Sequence, residues 1–163
     1  SNYAASKLRI TQNQTVEQNF IYCAEDEQKT IALENNTVNA IKYPFSIQEK
    51  VDPGAYLDNE TIYININQQN PFTMSISELA LQGKHNIYNS MASGIAARWL
   101  DISNPLIRES MGNFKSIEHR LESIGKISGI SFINDSQATN VNSKWSALES
   151  MTNDVVLILG CVG

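Results

Sequence analysis

Gly129-Ile130-Ser131-Phe132-Ile133-Asn134-Asp135-Ser136-Gln137-Ala138-Thr139-Asn140-Val141-Asn142-Ser143 is the stretch on which the reading of this chain turns. Ile130 to Ile133 is apolar and β-prone and follows a glycine. Asn134 to Ser143 is small and polar and carries a single charge, Asp135. An amphipathic run comes next, with Trp145, Leu148 and Met151 at helical spacing, and then the continuous apolar run Val155-Val156-Leu157-Ile158-Leu159. Strand, polar loop, helix and buried strand make the βαβ unit of a parallel sheet. Ligands of such sheets bind beyond the carboxyl ends of the strands, where the loop Asp135 to Asn140 and Gly160 would lie. The same Asx and Ser residues also suffice merely to turn the chain and cap the next helix, so the stretch by itself leaves both readings open.

The segments before it read as a mixture of strands and helices. Ile124 to Ile127 and Ile130 to Ile133, separated by Ser128-Gly129, predict a hairpin. Ile87, Met91, Ile95 and Trp99 recur every fourth residue and predict a helix over Gly83 to Leu100 whose stripe is core. Lys84, His85, Asn86 and Asn89 crowd its first turns, where free amides and a partial positive charge suit a phosphate or polar ligand; helix capping is the plainer alternative. Asn104-Pro105 opens another helix, as cap and first residue, with Leu106, Ile107 and Met111 facing inward and Gly112 to Phe114 ending it. Phe20 to Ala24 reads as a buried strand and Asp26 to Asn35 as a short helix. Ile41 to Phe45 is a weaker strand that Pro44 demotes to an edge. Ala55 to Leu57, Thr61 to Ile66 and Phe72 to Ile76 alternate at period two and predict an antiparallel meander with one apolar face. Tyr3 to Ile10 reads as a short helix holding Lys7, by itself a surface lysine.

With 163 residues the chain can bury one sizeable core or parts of two. Its net charge of -5 argues against a general nucleic-acid binder but not against a nucleotide site. The apolar runs fall far short of the ~20 residues of a membrane span. No zinc-spaced Cys/His cluster is present, and Cys23 and Cys161 read as reduced core thiols of a cytoplasmic protein.

Phe132-Ile133-Asn134-Asp135-Ser136-Gln137-Ala138-Thr139-Asn140, preceded by Glu118-His119-Arg120-Leu121-Glu122, resembles the Mur ligases, and among them the D-glutamate-adding branch. Tyr3-Ala4-Ala5-Ser6-Lys7-Leu8-Arg9-Ile10 and Gly83-Lys84-His85-Asn86-Ile87-Tyr88-Asn89 extend the likeness over nearly the whole chain, in the family's order. The family pattern has lysine where this chain has Gln137. The resemblance implies an α/β fold. Residues 1–116 would be the back part of a central ATP-binding domain, a parallel sheet with helices plus a small antiparallel sheet. Residues 117–163 would start a Rossmann-like C-terminal domain that binds the amino acid.

The resemblance also implies an activity: ATP-dependent addition of D-glutamate to UDP-N-acetylmuramoyl-L-alanine through an acyl phosphate, in cytoplasmic peptidoglycan synthesis, with Mg²⁺ and with no nucleic-acid or membrane partner. Lys7, as a carbamate, would help hold the Mg²⁺, and Lys7 and Asp135 would be the catalytic residues. Asn86, Asn89, His119, Arg120 and Asp135 would contact the nucleotide. Ser136, Gln137 and Thr139 would contact substrate, with Thr139 the foremost candidate for D-glutamate. For Arg120 a salt bridge with Glu118 or Glu122 is the alternative. Folylpolyglutamate synthetases and other Mur ligases share the architecture, but their Asp-Tyr-Ala-His-x-Pro-like loop is unlike Asp135 to Asn140. A phosphate-binding Gly-x-x-Gly-Lys-Ser/Thr loop is missing: Gly83-Lys84 is followed by His85 and Gly125-Lys126 by Ile127. On this resemblance the chain is expected to be an internal segment, inactive alone and at most a weak nucleotide binder.

Overall fold

The computed structural model describes residues 6–25, 33, 37–67, 70–114, 121–139 and 141–160. Its first part is a five-stranded sheet in chain order: β1 (Asn19–Cys23), β2 (Ile41–Ser46), β3 (Gly54–Asp58), β4 (Thr61–Asn65) and β5 (Phe72–Ser75). The β1–β2 and β2–β3 pairs are parallel, and β3–β4 and β4–β5 are antiparallel. The meander expected at Ala55 to Ile76 is therefore present, fused to a parallel pair in one mixed sheet. Asn59 and Glu60, at φ 45° and 62°, form the tight turn between β3 and β4, with Asp58 opposite Thr61.

Period-two alternation puts Ile62 and Ile64 of β4 with Phe72 and Met74 of β5 on the buried face. Tyr56 and Tyr63 stack with ring centroids 5.0 Å apart as a cross-strand pair. Helix α1 (Lys84–Trp99) contacts β1 to β4 and contributes Ile87, Met91 and Ile95 to the core. Helix α2 (Asn104–Gly112) packs on α1 and adds Ile107. Gly54 has φ 146°, and a β-carbon there would fall 2.2 Å from the Pro44 carbonyl oxygen. Gly54→Ala is expected to lower stability by about 2–4 kcal/mol, through backbone strain and overpacking. Urea denaturation checks this; a loss under about 0.5 kcal/mol, the scale of an ordinary surface change, would refute it.

Several expectations are corrected by the tertiary arrangement. Pro44 does not make β2 an edge, because β2 lies between β1 and β3. Ile41 N–H donates to Gln18 O (2.8 Å) and Phe45 O accepts from Ala24 N–H (3.0 Å), so the odd-numbered residues face β1. Pro44 turns its donorless nitrogen the other way, where pairing with β3 begins only at Phe45–Ala55. Among the described residues the edges are β1 and β5, and the residues of β1, expected as buried, are only half-buried. Trp99, assigned to the core stripe, is 38% exposed and meets Tyr43 edge-on at 5.3 Å. Leu106, expected inward, is 51% exposed, and the α2 cap is Ser103 rather than Asn104. The helix expected over Asp26 to Asn35 lies almost wholly outside the described residues.

The second part is a two-stranded antiparallel sheet, β6 (Glu122–Ile127) and β7 (Ile130–Asn134). Ser128 and Gly129 turn the chain at positive φ, as the hairpin reading expects. Helix α3 (Val141–Glu149) follows the loop. The βαβ unit is not closed. Val155 to Leu159 pairs with no strand among the described residues, and Val156 and Ile158 are 92% and 88% exposed. An apolar run becomes a buried strand only when a ladder and covering side chains meet it, and the described residues supply neither. Trp145, on the expected helical stripe, is likewise exposed.

Candidate functional site

Two segments distant in sequence line one cleft of about 970 Å³: Gln82 to Asn86 with Tyr88, and the loop carrying Asp135, Gln137 and Ala138 with Ser143 from α3. That volume is in the range of small-molecule and cofactor sites.

The first wall is set by how α1 starts. Gly83 precedes it at φ 99°, a conformation that suits glycine. Its carbonyl accepts from the amides of Asn86 (3.0 Å) and Ile87 (3.2 Å). Asn86 Nδ2 reaches back to donate to Gln82 O (2.8 Å), and Gln82 Nε2 donates to Leu79 O (2.5 Å). The entry loop is thus tied down by its own amide side chains. Lys84 and His85 stand at the cleft in the first turn.

Tyr88, one turn on, is fixed from behind by a feature that the sequence reading passed over. Glu25 follows β1, and its carboxylate accepts from Ser46 Oγ (2.8 Å), Ile47 N–H (2.6 Å), Gln48 N–H (3.1 Å) and Cys23 Sγ (3.2 Å). Burial works against its charge, but the bonds from Ser46, Cys23 and Ile47 outweigh that and hold the carboxyl below its ordinary range. Burial first, and then the Glu25 charge, push the Tyr88 phenol up to about 12. Cys23 is half-buried, and Cys161 lies outside the described residues. No sequence pattern flags Glu25, because apart from Cys23 its partners are Ser46 and the backbone just after β2, some twenty residues away.

The second wall is the loop after β7. Ser136 N–H donates to Asn134 Oδ1 (3.1 Å) and Ala138 N–H to Asp135 O (3.1 Å), so the Asx residues do turn the chain. Asp135 Oδ1 accepts from Leu121 N–H (3.2 Å). Lys144 of α3 donates to Asp135 O (2.7 Å) and lies 4.0 Å from Asp135 Oδ2.

The expected site residues are thus partly gathered. Asn86, Asp135 and Gln137 share the cleft. Asn89 lies instead on a second cavity of about 480 Å³, which Asn86 also borders, among Leu79, Ile107 and Met111. Ser136 and Thr139 are exposed and are not on the cleft wall. His119 and Arg120 fall in residues 115–120, outside the described residues, as does the boundary expected at 116/117. Lys7 sits in a helical turn at 6–8, exposed beside buried Leu8, and is not on the cleft wall.

Oxygen-seeking Mg²⁺ commonly takes one or two protein carboxylates and fills its remaining positions with water and substrate phosphates. A carbamate on Lys7, if formed, would be such a donor. Among the described residues no group of three or more His, Cys, Asp or Glu could hold a metal ion, so the fit is partial. Among the described residues, too, no helix is long and apolar enough to cross a membrane.

Residues 1–97 match the Mur ligase middle domain. Over 161 residues the chain is 53% identical to the UDP-N-acetylmuramoylalanine–D-glutamate ligase of Christiangramia forsetii, covering 99% of this chain and 36% of that protein. It is 45% identical to the enzyme of that name from Bacteroides fragilis, covering 98% and 35%. The chain spans about a third of the length of these curated relatives. A pseudomurein peptide ligase type C from Methanothermus fervidus has the same fold, with a TM-score of 0.65, 19% identity, and 92% of this chain and 37% of that one covered.

Proposed function

This chain belongs to the Mur ligase family, and on that premise we propose that it is a segment of a ligase that adds D-glutamate to UDP-N-acetylmuramoyl-L-alanine in peptidoglycan synthesis. The observation that carries the reading is the shared cleft of the α1 N-terminus and the Asp135 loop, within a chain 53% identical to a relative bearing that activity in its name. ATP would convert the acceptor carboxylate to an acyl phosphate, and the D-glutamate amine would displace phosphate to form the amide. Bound Mg²⁺ would offset charge on the transferring phosphoryl group.

In this reading residues 1–116 belong to the ATP-binding domain and 117–163 to the amino-acid-binding one. Asn86 holds the nucleotide, and Asn89, His119 and Arg120 complete its surroundings. Asp135 orients the loop between nucleotide and amino acid, and Ser136, Gln137 and Thr139 receive D-glutamate. Lys7 as a carbamate is the protein's donor to Mg²⁺. The substrates and products are those of a cytoplasmic enzyme. The segment by itself carries no phosphate-binding loop motif and is proposed to be catalytically silent.

The test is phosphate release by the full-length protein that contains this segment. Release is expected only with ATP, Mg²⁺, UDP-N-acetylmuramoyl-L-alanine and D-glutamate together. Equal turnover with L-glutamate, or with a folate as acceptor, would overturn the substrate assignment.

A further inference from the structure

We infer that Lys144 is the positioning residue of the Asp135 loop: it holds the loop in its cleft-lining form from behind and supplies its positive charge. This deepens the ligase reading and rests on it. The warrant is geometric. Asp135 O accepts two bonds, from Ala138 N–H at 3.1 Å and from Lys144 Nζ at 2.7 Å. The first closes the turn; the second ties that turn to α3. The same ammonium lies 4.0 Å from Asp135 Oδ2. That oxygen is buried and has no hydrogen-bond partner among the described residues, whereas Oδ1 accepts from Leu121 N–H. A buried carboxylate oxygen without a donor is unfavourable unless a neighbouring charge compensates it, and Lys144 provides that charge.

The Lys144 side chain is only 29% exposed, so its head is partly withdrawn from water and its field at the loop is weakly screened. Gln137, on the cleft side of the loop, brings no charge. Lys144 is not on the cleft wall; it acts through Asp135, which is. Removing it frees the Asp135 carbonyl, loosens the turn that presents Gln137 and Ala138, and leaves the carboxylate uncompensated. The effect belongs in kcat rather than in nucleotide KM, because loop geometry matters most where charge develops.

The experiment uses the full-length protein with Lys144→Met and Lys144→Arg, read in two ways. In steady-state kinetics Lys144→Met is expected to lower kcat about tenfold with ATP KM changed less than about threefold, the effect of losing one charge-assisted bond. Lys144→Arg, which keeps charge and donors, is expected to restore kcat to within about threefold of the unsubstituted protein. In hydrogen exchange the segment 134–139 is expected to exchange about tenfold faster in Lys144→Met and at nearly the original rate in Lys144→Arg. Unaltered exchange and kcat in Lys144→Met would overturn the inference, and so would a loss that arginine fails to restore. If the unsubstituted protein shows no D-glutamate-dependent turnover, the ligase reading fails, and the exchange result alone still decides whether Lys144 holds the loop.

Discussion

Phe72→Ala is expected to destabilise this chain by about 3–5 kcal/mol, a large part of the 5–15 kcal/mol that typically holds a domain together. Phe72 is 1% exposed and lies in one core cluster with Ile62, Ile64, Met74, Met91 and Ile95, where β4, β5 and α1 meet. Truncation removes the ring's burial and leaves a cavity that strand backbone cannot close. It also removes the surface over which the Arg108 guanidinium sits, 5.6 Å from the ring centroid. Arg108 is held there by Thr73 O and by Glu78 Oε2 (2.6 Å), so it does not follow the collapse. Leu106→Ala, at a 51% exposed position on α2, is the control and is expected to lose less than about 1 kcal/mol. Urea denaturation of the three forms measures the difference. Equal losses at the two positions would mean that the core is not centred where the sheet and α1 meet.

Lys7→Ala in the full-length protein is expected to lower turnover on the order of a hundredfold, the scale on which enzymes lose activity when a metal's protein environment is broken. A carbamate forms only on an amine, so added bicarbonate is not expected to restore the variant. The substitution itself is mild for the fold. Lys7 is exposed, while the neighbouring Leu8 is buried and its carbonyl accepts from Thr11 Oγ1 at 2.7 Å. Stability close to that of the unsubstituted protein, together with lost turnover, separates a metal role from a folding role. Full activity in Lys7→Ala would return this lysine to an ordinary surface position.

Local chemistry made much of the fold legible. The fourfold stripe Ile87, Met91 and Ile95 marked α1 because a helix repeats nearly every fourth residue. Alternation in Thr61 to Ile66 and Phe72 to Ile76 marked the meander because successive strand side chains face opposite ways. Where the strand expectations at Pro44 and Val155 to Leu159 failed, the deciding quantity lay in other strands. Pro44 breaks a ladder only on the side its nitrogen faces, and sequence does not say which side that is. Val155 to Leu159 has a buried strand's composition, but composition cannot provide the neighbours that bury it.

The candidate site divides the same way. Sequence alone determined the family, through motifs such as Gly83 to Asn89 and Phe132 to Asn140, and with it the candidate residues proposed for nucleotide and amino-acid contact. The α1 span, the turns and the faces of β4 and β5 also follow from it, because they depend on residues within a few positions of one another. Only the tertiary structure decided that Asn86 and Asp135 line one cleft while Asn89 borders another. It alone set Glu25 behind Tyr88 and Lys144 behind Asp135. Those relations join side chains on separate elements, and the packing of the elements, which no local pattern encodes, sets the distances between them.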